Sequence, residues 1–333
     1  MRAAVLAAFN QDWQFQTLPD PHPAPGQVVI RIRASGMCGT DLHAHHGHLG
    51  AKLPIVLGHE PAGEIVELGA GVLDLKVGDR VGVFWNQKGC GRCAACQSGR
   101  PEHCPTAQSW MHVGGANSEL MLAWASGCAL IPDGLAFELA APMFCAGYTV
   151  MSGLRNGDPK PGERVAVVGV GGLGHLALQL SKAVGLETFA ITGQAGKKAE
   201  LVALGADEVL LAGDDPGAAL KEAGGADVIL STTNSAKQIA AAFNGLRPGG
   251  RLVNLGVPDG PLTISLQTLM WGQRQLRGSS QDERADLYEA LQLAAAGKVK
   301  PVVELYSLER ANEARERLQA GKVRYRAVLQ HAD

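Results

Sequence analysis

Seven cysteines carry the first chemistry the chain offers: Cys38, Cys90, Cys93, Cys96, Cys104, Cys128 and Cys145. Four of them form Cys90-x2-Cys93-x2-Cys96-x7-Cys104 in a stretch rich in Gly, Arg and Gln. Thiolates two residues apart can converge on one tetrahedral ion with bonds of ~2.3 Å, and the seven-residue excursion returns the fourth. No base or nucleophile stands among them, and four thiolates leave no open coordination position. This pattern points to a closed, structural zinc site. Iron–sulfur ligation shares the short spacings, and unligated surface thiols are the plainer alternative. A module gripping nucleic acid is disfavoured, because only Lys88, Arg92 and Arg100 are placed to meet phosphate. The odd cysteine count, with no convincing secretory signal, disfavours a disulfide framework. Cys128 sits in an apolar, strand-like stretch and reads as a small buried hydrophobe. Cys38 and Cys145, by spacing alone, have no reason to meet.

Residues 164–174 read Arg-Val-Ala-Val-Val-Gly-Val-Gly-Gly-Leu-Gly. An apolar run over 165–168 ends in Gly169-x-Gly171-x-x-Gly174, and a helical pattern follows from Leu173 to about residue 184. Strand, glycine turn and helix are the context in which such a fingerprint binds a dinucleotide. The first glycine makes the turn, the second lets a pyrophosphate approach the backbone, and the third lets helix and strand pack closely. The helix start then offers unpaired N–H groups to phosphate. Gly169, Gly171, Gly172, Leu173 and Gly174 are the candidate cradle, against the blander reading of plain turn glycines. The next strand ends at Thr192-Gly193-Gln194, and Lys197 and Lys198 follow. An NAD-preferring site usually places an Asp or Glu at that tip. Thr192, Gly193 and Lys197 suit a ribose 2′-phosphate instead, which favours NADP(H) over NAD(H). The alternative is that the two lysines only open a solvated helix.

The elements that must position these groups follow from the pattern. Strands expected at 188–192, 208–211, 227–232 and 251–255 alternate with helices at 197–204 and 236–246, as in a doubly wound parallel sheet. The earlier part of the chain is strand-rich, with alternation over 28–33 just before Cys38. The tail is expected to hold a helix over 308–318 and a strand over 324–329. At 333 residues, 46% apolar and 19% charged, the chain can bury two domains or one large one. Its 43 glycines are about twice the usual share, consistent with many tight turns. Thirty basic against 32 acidic side chains give −2, which argues against nucleic acid or an anionic membrane as the main partner. No apolar run approaches the ~20 residues of a membrane span. Residues 1–9 only faintly resemble a signal peptide, and Asn10-Gln11-Asp12-Trp13 reads better as a hairpin turn. A soluble, cytoplasmic protein is expected.

Five segments in this order are specific together: Gly36-Met37-Cys38-Gly39-Thr40-Asp41-Leu42-His43, Gly58-His59-Glu60-Pro61-Ala62-Gly63, the four-cysteine loop, Cys145-Ala146-Gly147-Tyr148-Thr149, and the glycine fingerprint. Over essentially its whole length the chain resembles the zinc-dependent alcohol dehydrogenases of the medium-chain dehydrogenase/reductase superfamily. The resemblance implies an α/β fold. A strand-rich, GroES-like catalytic domain over 1–149 and 286–333 would bear both zinc sites. A doubly wound parallel-sheet Rossmann domain over 150–285 would bind the nicotinamide nucleotide, with the active site in the cleft between them.

It further implies that Cys38, His59 and Cys145 hold a catalytic zinc, a Cys2His set that leaves one position for water or alcohol. Glu60 would lie beside the metal, either entering its shell or staying one layer out. Thr40 and His43 match a proton relay that runs through the cofactor ribose to solvent. Trp85 matches a substrate-pocket aromatic, Thr149 and Gly256 positions near the nicotinamide, and Arg284 a pyrophosphate contact. There are two departures. Gly39 stands where relatives often carry a basic or His residue, and the loop Gln108-Ser109-Trp110-Met111-His112 is atypical for the pocket. His45 and His48 read as surface residues, and the run from His43 to His48 also invites an extra-metal reading, set below that one. The implied activity is reversible oxidation of an alcohol, chiefly a primary one, to its carbonyl by a homo-oligomer (dimer or tetramer). A polyol or amino-alcohol dehydrogenase and a non-catalytic zinc- and nucleotide-binding redox sensor are the alternatives. The cysteine at 145, where polyol enzymes often carry Glu, favours simple alcohols.

Overall fold

In the computed structural model, which describes residues 1–331, the apolar run after Glu163 forms strand Arg164–Val168. Val165 through Val168 are buried, as a central parallel strand covered on both faces requires. This strand lies inside a six-stranded parallel sheet. The spatial order is Glu208–Leu211, Glu187–Thr192, Arg164–Val168, Ala226–Ser231, Leu246–Asn254, Gln275–Gly278. Numbered along the chain, that order is 3-2-1-4-5-6, the doubly wound arrangement. It reverses between Arg164–Val168 and Ala226–Ser231, so the carboxyl ends of these two strands open a crevice. Helices Gly174–Ala183, Lys198–Ala203 and Ala236–Phe243 lie in the expected places, the second preceded by a 3-10 turn at Ala195–Lys197. Helix Pro216–Glu222 and edge strand Gln275–Gly278 had no sequence signal; the strand is largely exposed, so burial imposes no alternation on it.

In the other unit the eleven-residue strand Gln27–Met37 is the hub. It pairs antiparallel with Glu60–Leu68, Leu120–Trp124 and Arg326–Gln330 within a seven-stranded sheet. The register sets Gly36 opposite Glu60 and Met37 opposite Ala327. Cys38, His59 and Arg326 therefore come from one end of three adjacent strands. The opening hairpin, Arg2–Leu6 with Gln14–Thr17, forms as expected, although Trp13 is buried rather than displayed in its turn. Cys128 begins the short strand Cys128–Leu130 and is only half-buried, because that strand lies at the sheet's edge.

Two compact units result, Met1–Cys145 with the chain from Pro301 onward, and Ala146–Lys300. These divisions differ from those expected at 149/150 and 285/286. Helix Ala146–Gly157 packs on helix Arg284–Ala295, and the Ser152 hydroxyl donates to Asp286 Oδ2 at 2.7 Å, so both helices belong wholly to the nucleotide-type unit. The tail rejoins the first unit through a 3-10 turn at Leu308–Arg310, helix Ala311–Gln319 and strand Arg326–Gln330.

Candidate metal centres and nucleotide groove

Where strand Gln27–Met37 ends, Cys38 caps helix Gly39–His45 with its sulfur, accepting the Thr40 N–H at 3.3 Å. Asp41 closes the cap by accepting the Cys38 N–H at 2.9 Å. The helix start favours negative charge at that sulfur. Cys38 Sγ lies 3.2 Å from His59 Nε2 and 3.9 Å from Cys145 Sγ. Two thiolates on one tetrahedral zinc stand about 3.8 Å apart, and a thiolate and an imidazole nitrogen about 3.6 Å. Ligand atoms of Cys38, His59, Cys145 and Glu60 all lie within 4.8 Å of one another. The donor set fits a zinc ion, and residues that spacing alone could not join are brought together.

Charge supports the same fit. The Cys38 thiol is held well below its usual range, first by its hydrogen bond with Cys145 and then, against its burial, by the positive charge on His59 and Arg326. Burial pushes His59 down, but the Cys38 thiolate and the Asp41 carboxylate outweigh it and raise the imidazole well above its usual value. A proton on His59 thus answers the thiolate, and a metal ion takes that proton's place on binding. Asp41 Oδ1 faces His59 Nδ1 at 3.6 Å, orienting the ring from behind. Glu60 is fully buried and paired with Arg326. Burial lifts its carboxyl to about 7, against the pull of the guanidinium. Removing one member of such a pair typically costs about 3–5 kcal/mol.

The atypical loop shapes this centre. Gln108–Ser109 pairs with Asn86–Lys88 and leads into helix Trp110–Val113. There the buried Trp110 ring stacks on His59, with centroids 6.0 Å apart, and meets Trp85 edge-on at 5.6 Å. Trp85 itself stands edge-on to His59 at 5.1 Å. Asp41, Trp110 and Arg326 went unassigned in the sequence. Asp41 had a signal, a carboxylate at the third position of a helix after its cap; Trp110 had one only through its atypical loop, and Arg326 reaches the site from a distant segment with none. Thr40 and His43 both lie half-buried on helix Gly39–His45, while exposed Gly39 has open space where a side chain would project.

The second cluster lies on its own loop. The sulfurs of Cys90, Cys93, Cys96 and Cys104 all stand within 4.8 Å of one another. The Cys90 N–H points at Cys104 Sγ at 3.3 Å and the Cys93 N–H at Cys90 Sγ at 3.4 Å. The Cys90 N–H and the Thr106 hydroxyl hold the Cys104 thiol down to about 6, whereas desolvation lifts Cys96 to about 11. Four converging sulfurs, with backbone donors on them and no free position, suit a closed zinc site.

In the nucleotide-type unit, the three fingerprint glycines differ as their roles require. Gly169 has φ +88°, the space beside Gly171 is empty, and a Cβ at Gly174 would stand 2.2 Å from the Gly169 carbonyl. Gly172 and Leu173 complete the turn, with Leu173 capping helix Gly174–Ala183. A cavity of about 370 Å³ opens beside the turn, lined in part by Gly169, Gly171, Thr192, Gly193 and Lys197. Among the described residues, no carboxylate lines it. Thr149 lies on helix Ala146–Gly157, Gly256 follows strand Leu246–Asn254, and exposed Arg284 opens helix Arg284–Ala295.

Known proteins resemble the chain over nearly its whole length. Residues 24–133 match the family model described as alcohol dehydrogenase GroES-like domain, and residues 172–296 match zinc-binding dehydrogenase. The chain is 41% identical over 335 residues to an alcohol dehydrogenase of Geobacillus stearothermophilus, covering 99% of each. It is 37% identical to an aldehyde reductase of Synechocystis, covering 92% of this chain and 91% of that one. Among solved structures, the alcohol dehydrogenase of Aeropyrum pernix superposes with a TM-score of 0.90 at 31% identity, covering 99% of this chain and 100% of that one.

Proposed function

The chain belongs to the zinc-dependent alcohol dehydrogenases of the medium-chain superfamily, and we propose that it interconverts primary alcohols and aldehydes with NADP(H), using one catalytic and one structural zinc per subunit. The convergence of Cys38, His59 and Cys145 carries this reading. When bound, the zinc polarises the substrate oxygen as a Lewis acid and the nicotinamide exchanges the hydride. The protein's own groups do the rest. Cys38, His59 and Cys145 hold the ion, and Asp41 orients His59 from its far side. Trp85 and Trp110 keep water from the imidazole. Arg326 keeps Glu60 anchored next to the ligands. The Thr40 hydroxyl takes the substrate's proton, and His43, five residues from Cys38 on the same helix, passes it to solvent.

Lys197 on the cavity beside Thr192 and Gly193, with no carboxylate there among the described residues, supports the phosphorylated cofactor. Exposed Leu266, Met270 and Trp271 support a homo-oligomer, a dimer or tetramer. Among the described residues, no helix is long and apolar enough to cross a membrane; we assign the protein to the cytoplasm. The deciding experiment measures aldehyde reduction with NADPH and with NADH, before and after exhaustive zinc removal. Turnover is expected with NADPH ahead of NADH, and to vanish with the metal. Full-rate reduction by the metal-free protein overturns the reading, and a clear preference for NADH overturns the cofactor choice.

A further inference from the structure

Helix Gly39–His45 ends in a way that gathers imidazoles. His46 is its C-cap, and Gly47 follows at φ +83°. The Gly47 N–H returns to the Ala44 carbonyl at 3.0 Å and the His48 N–H to the His43 carbonyl at 2.9 Å. These two bonds are those of a Schellman motif, in which the residue after the glycine ordinarily makes an apolar contact with the third residue before the cap. Here those two positions are His48 and His43, with ring centres 5.8 Å apart. His46 lies between them in sequence, its ring centre 5.9 Å from that of His48.

His46 is also oriented. Its Nδ1 donates to Asn10 Oδ1 at 2.6 Å, which leaves Nε2 with a free lone pair. Asn10 is itself pinned, its N–H on the His45 carbonyl at 3.0 Å and its φ at +63°. A carbonyl that accepts the far ring N–H is the arrangement that fixes a ligating histidine. His45 stays out of the cluster: it is buried, contrary to the surface position expected, with Trp13 Nε1 at 3.3 Å from its Nδ1 and Arg315 at 3.4 Å from its Nε2. Two imidazoles on one ion, with bonds near 2.1 Å, hold their ring centres about 5 Å apart. The ring nitrogens of the three do not all lie within 4.8 Å of one another as they stand, so the site closes by rotation of both the half-buried His43 and the exposed His48 side chains onto the oriented His46.

We propose that His43, His46 and His48 form a further cation site, separate from the two sulfur-containing sites, that takes one late first-row divalent ion, and that filling it withdraws His43 from the proton relay. Imidazole donors select nickel, copper and zinc over magnesium or calcium. The second half of the proposal rests on the relay reading above; the first does not.

The test is equilibrium dialysis of the zinc-loaded full chain against Ni²⁺, with nickel and zinc both measured. One nickel per chain is expected with the zinc content unchanged. Its affinity should fall at least about tenfold in His48→Ala, and similarly in Asn10→Gly, which keeps the backbone but removes the carbonyl that orients His46. Alcohol turnover should fall with nickel loading in the parent and not in His48→Ala, whose metal-free-buffer rate should match the parent's. Equal nickel affinity in His48→Ala, or uptake only as zinc leaves, overturns the site. Nickel bound through these histidines without loss of turnover overturns its coupling to the relay. His43→Ala without nickel tests the relay separately: undiminished turnover there overturns the relay reading and leaves the binding measurement to stand on its own.

Discussion

Asp41 shows how much one side chain can settle. One oxygen accepts the Cys38 N–H, while the other accepts the Gly58 N–H at 3.3 Å and faces His59. The same carboxylate thus ties together the two segments that carry Cys38 and His59 and raises the charge on the imidazole between them. Holding the ion and moving the proton are nevertheless assigned to different atoms, and substitutions should separate them. Cys38→Ser removes a ligand: one zinc per chain should be lost, and turnover should fall below detection. Thr40→Ala removes only a hydroxyl, so it should keep the full zinc content while slowing turnover by about 10²–10⁴-fold. Metal analysis beside steady-state rates checks both. A Thr40→Ala enzyme with parent-like rates removes Thr40 from the relay, and a Cys38→Ser enzyme that keeps its zinc removes Cys38 from the ligand set.

Elements were legible where local sequence had to satisfy a local constraint. The four-cysteine loop and the glycine turn are short-range devices, and each folds as its spacing requires. Strands over 165–168 and 188–192 were readable because burial on both faces forces continuous apolar runs. Strand Gln275–Gly278 was not, since an exposed edge imposes no such pattern. Likewise, nothing near Trp110 or Arg326 announces His59 or Glu60. Those contacts join segments far apart in sequence, a short helix onto the His59 turn and one strand end onto another, and the motifs that place Cys38, His59 and Cys145 were recognised by resemblance, not by spacing. The glycine turn itself supports a paired test. At Gly174 an added methyl would meet backbone, the Gly169 carbonyl, which cannot swing away. Gly174→Ala should therefore destabilise its unit by about 1–3 kcal/mol as well as weaken nucleotide binding. At Gly171 the added methyl meets nothing within 4 Å. Gly171→Ala should leave the unfolding midpoint unchanged and weaken nucleotide binding alone, as read by denaturant titration and cofactor fluorescence. Unaltered nucleotide affinity in Gly171→Ala overturns its place in the phosphate cradle.

At the scale of the whole molecule, two units carry separate cores, so stability need not respond to pH as a single quantity. The first unit contains a specific acid liability. His331 is 8% exposed, and neither ring nitrogen has a partner among the described residues, although Glu119, Glu309 and Arg2 act on it electrostatically. Burial holds its pKa down to about 4, while the nearby carboxylates only partly offset that. Unfolded, the same group titrates near 6.5. Between those values the unfolded chain binds the proton and the folded chain does not, so stability falls as pH drops from 6.5 towards 4. The loss between pH 7 and pH 5 amounts to about 2 kcal/mol. His331→Leu removes the titrating group at similar volume and should abolish that part of the acid sensitivity. Trp13, Trp85, Trp110 and Trp124, four of the five tryptophans, belong to this unit, so fluorescence-detected urea unfolding reports on it directly. Other groups also titrate over this range, and the difference between parent and variant cancels them. An unfolding midpoint that declines equally in both proteins from pH 7 to pH 5 shows that His331 is protonated without penalty in the folded state.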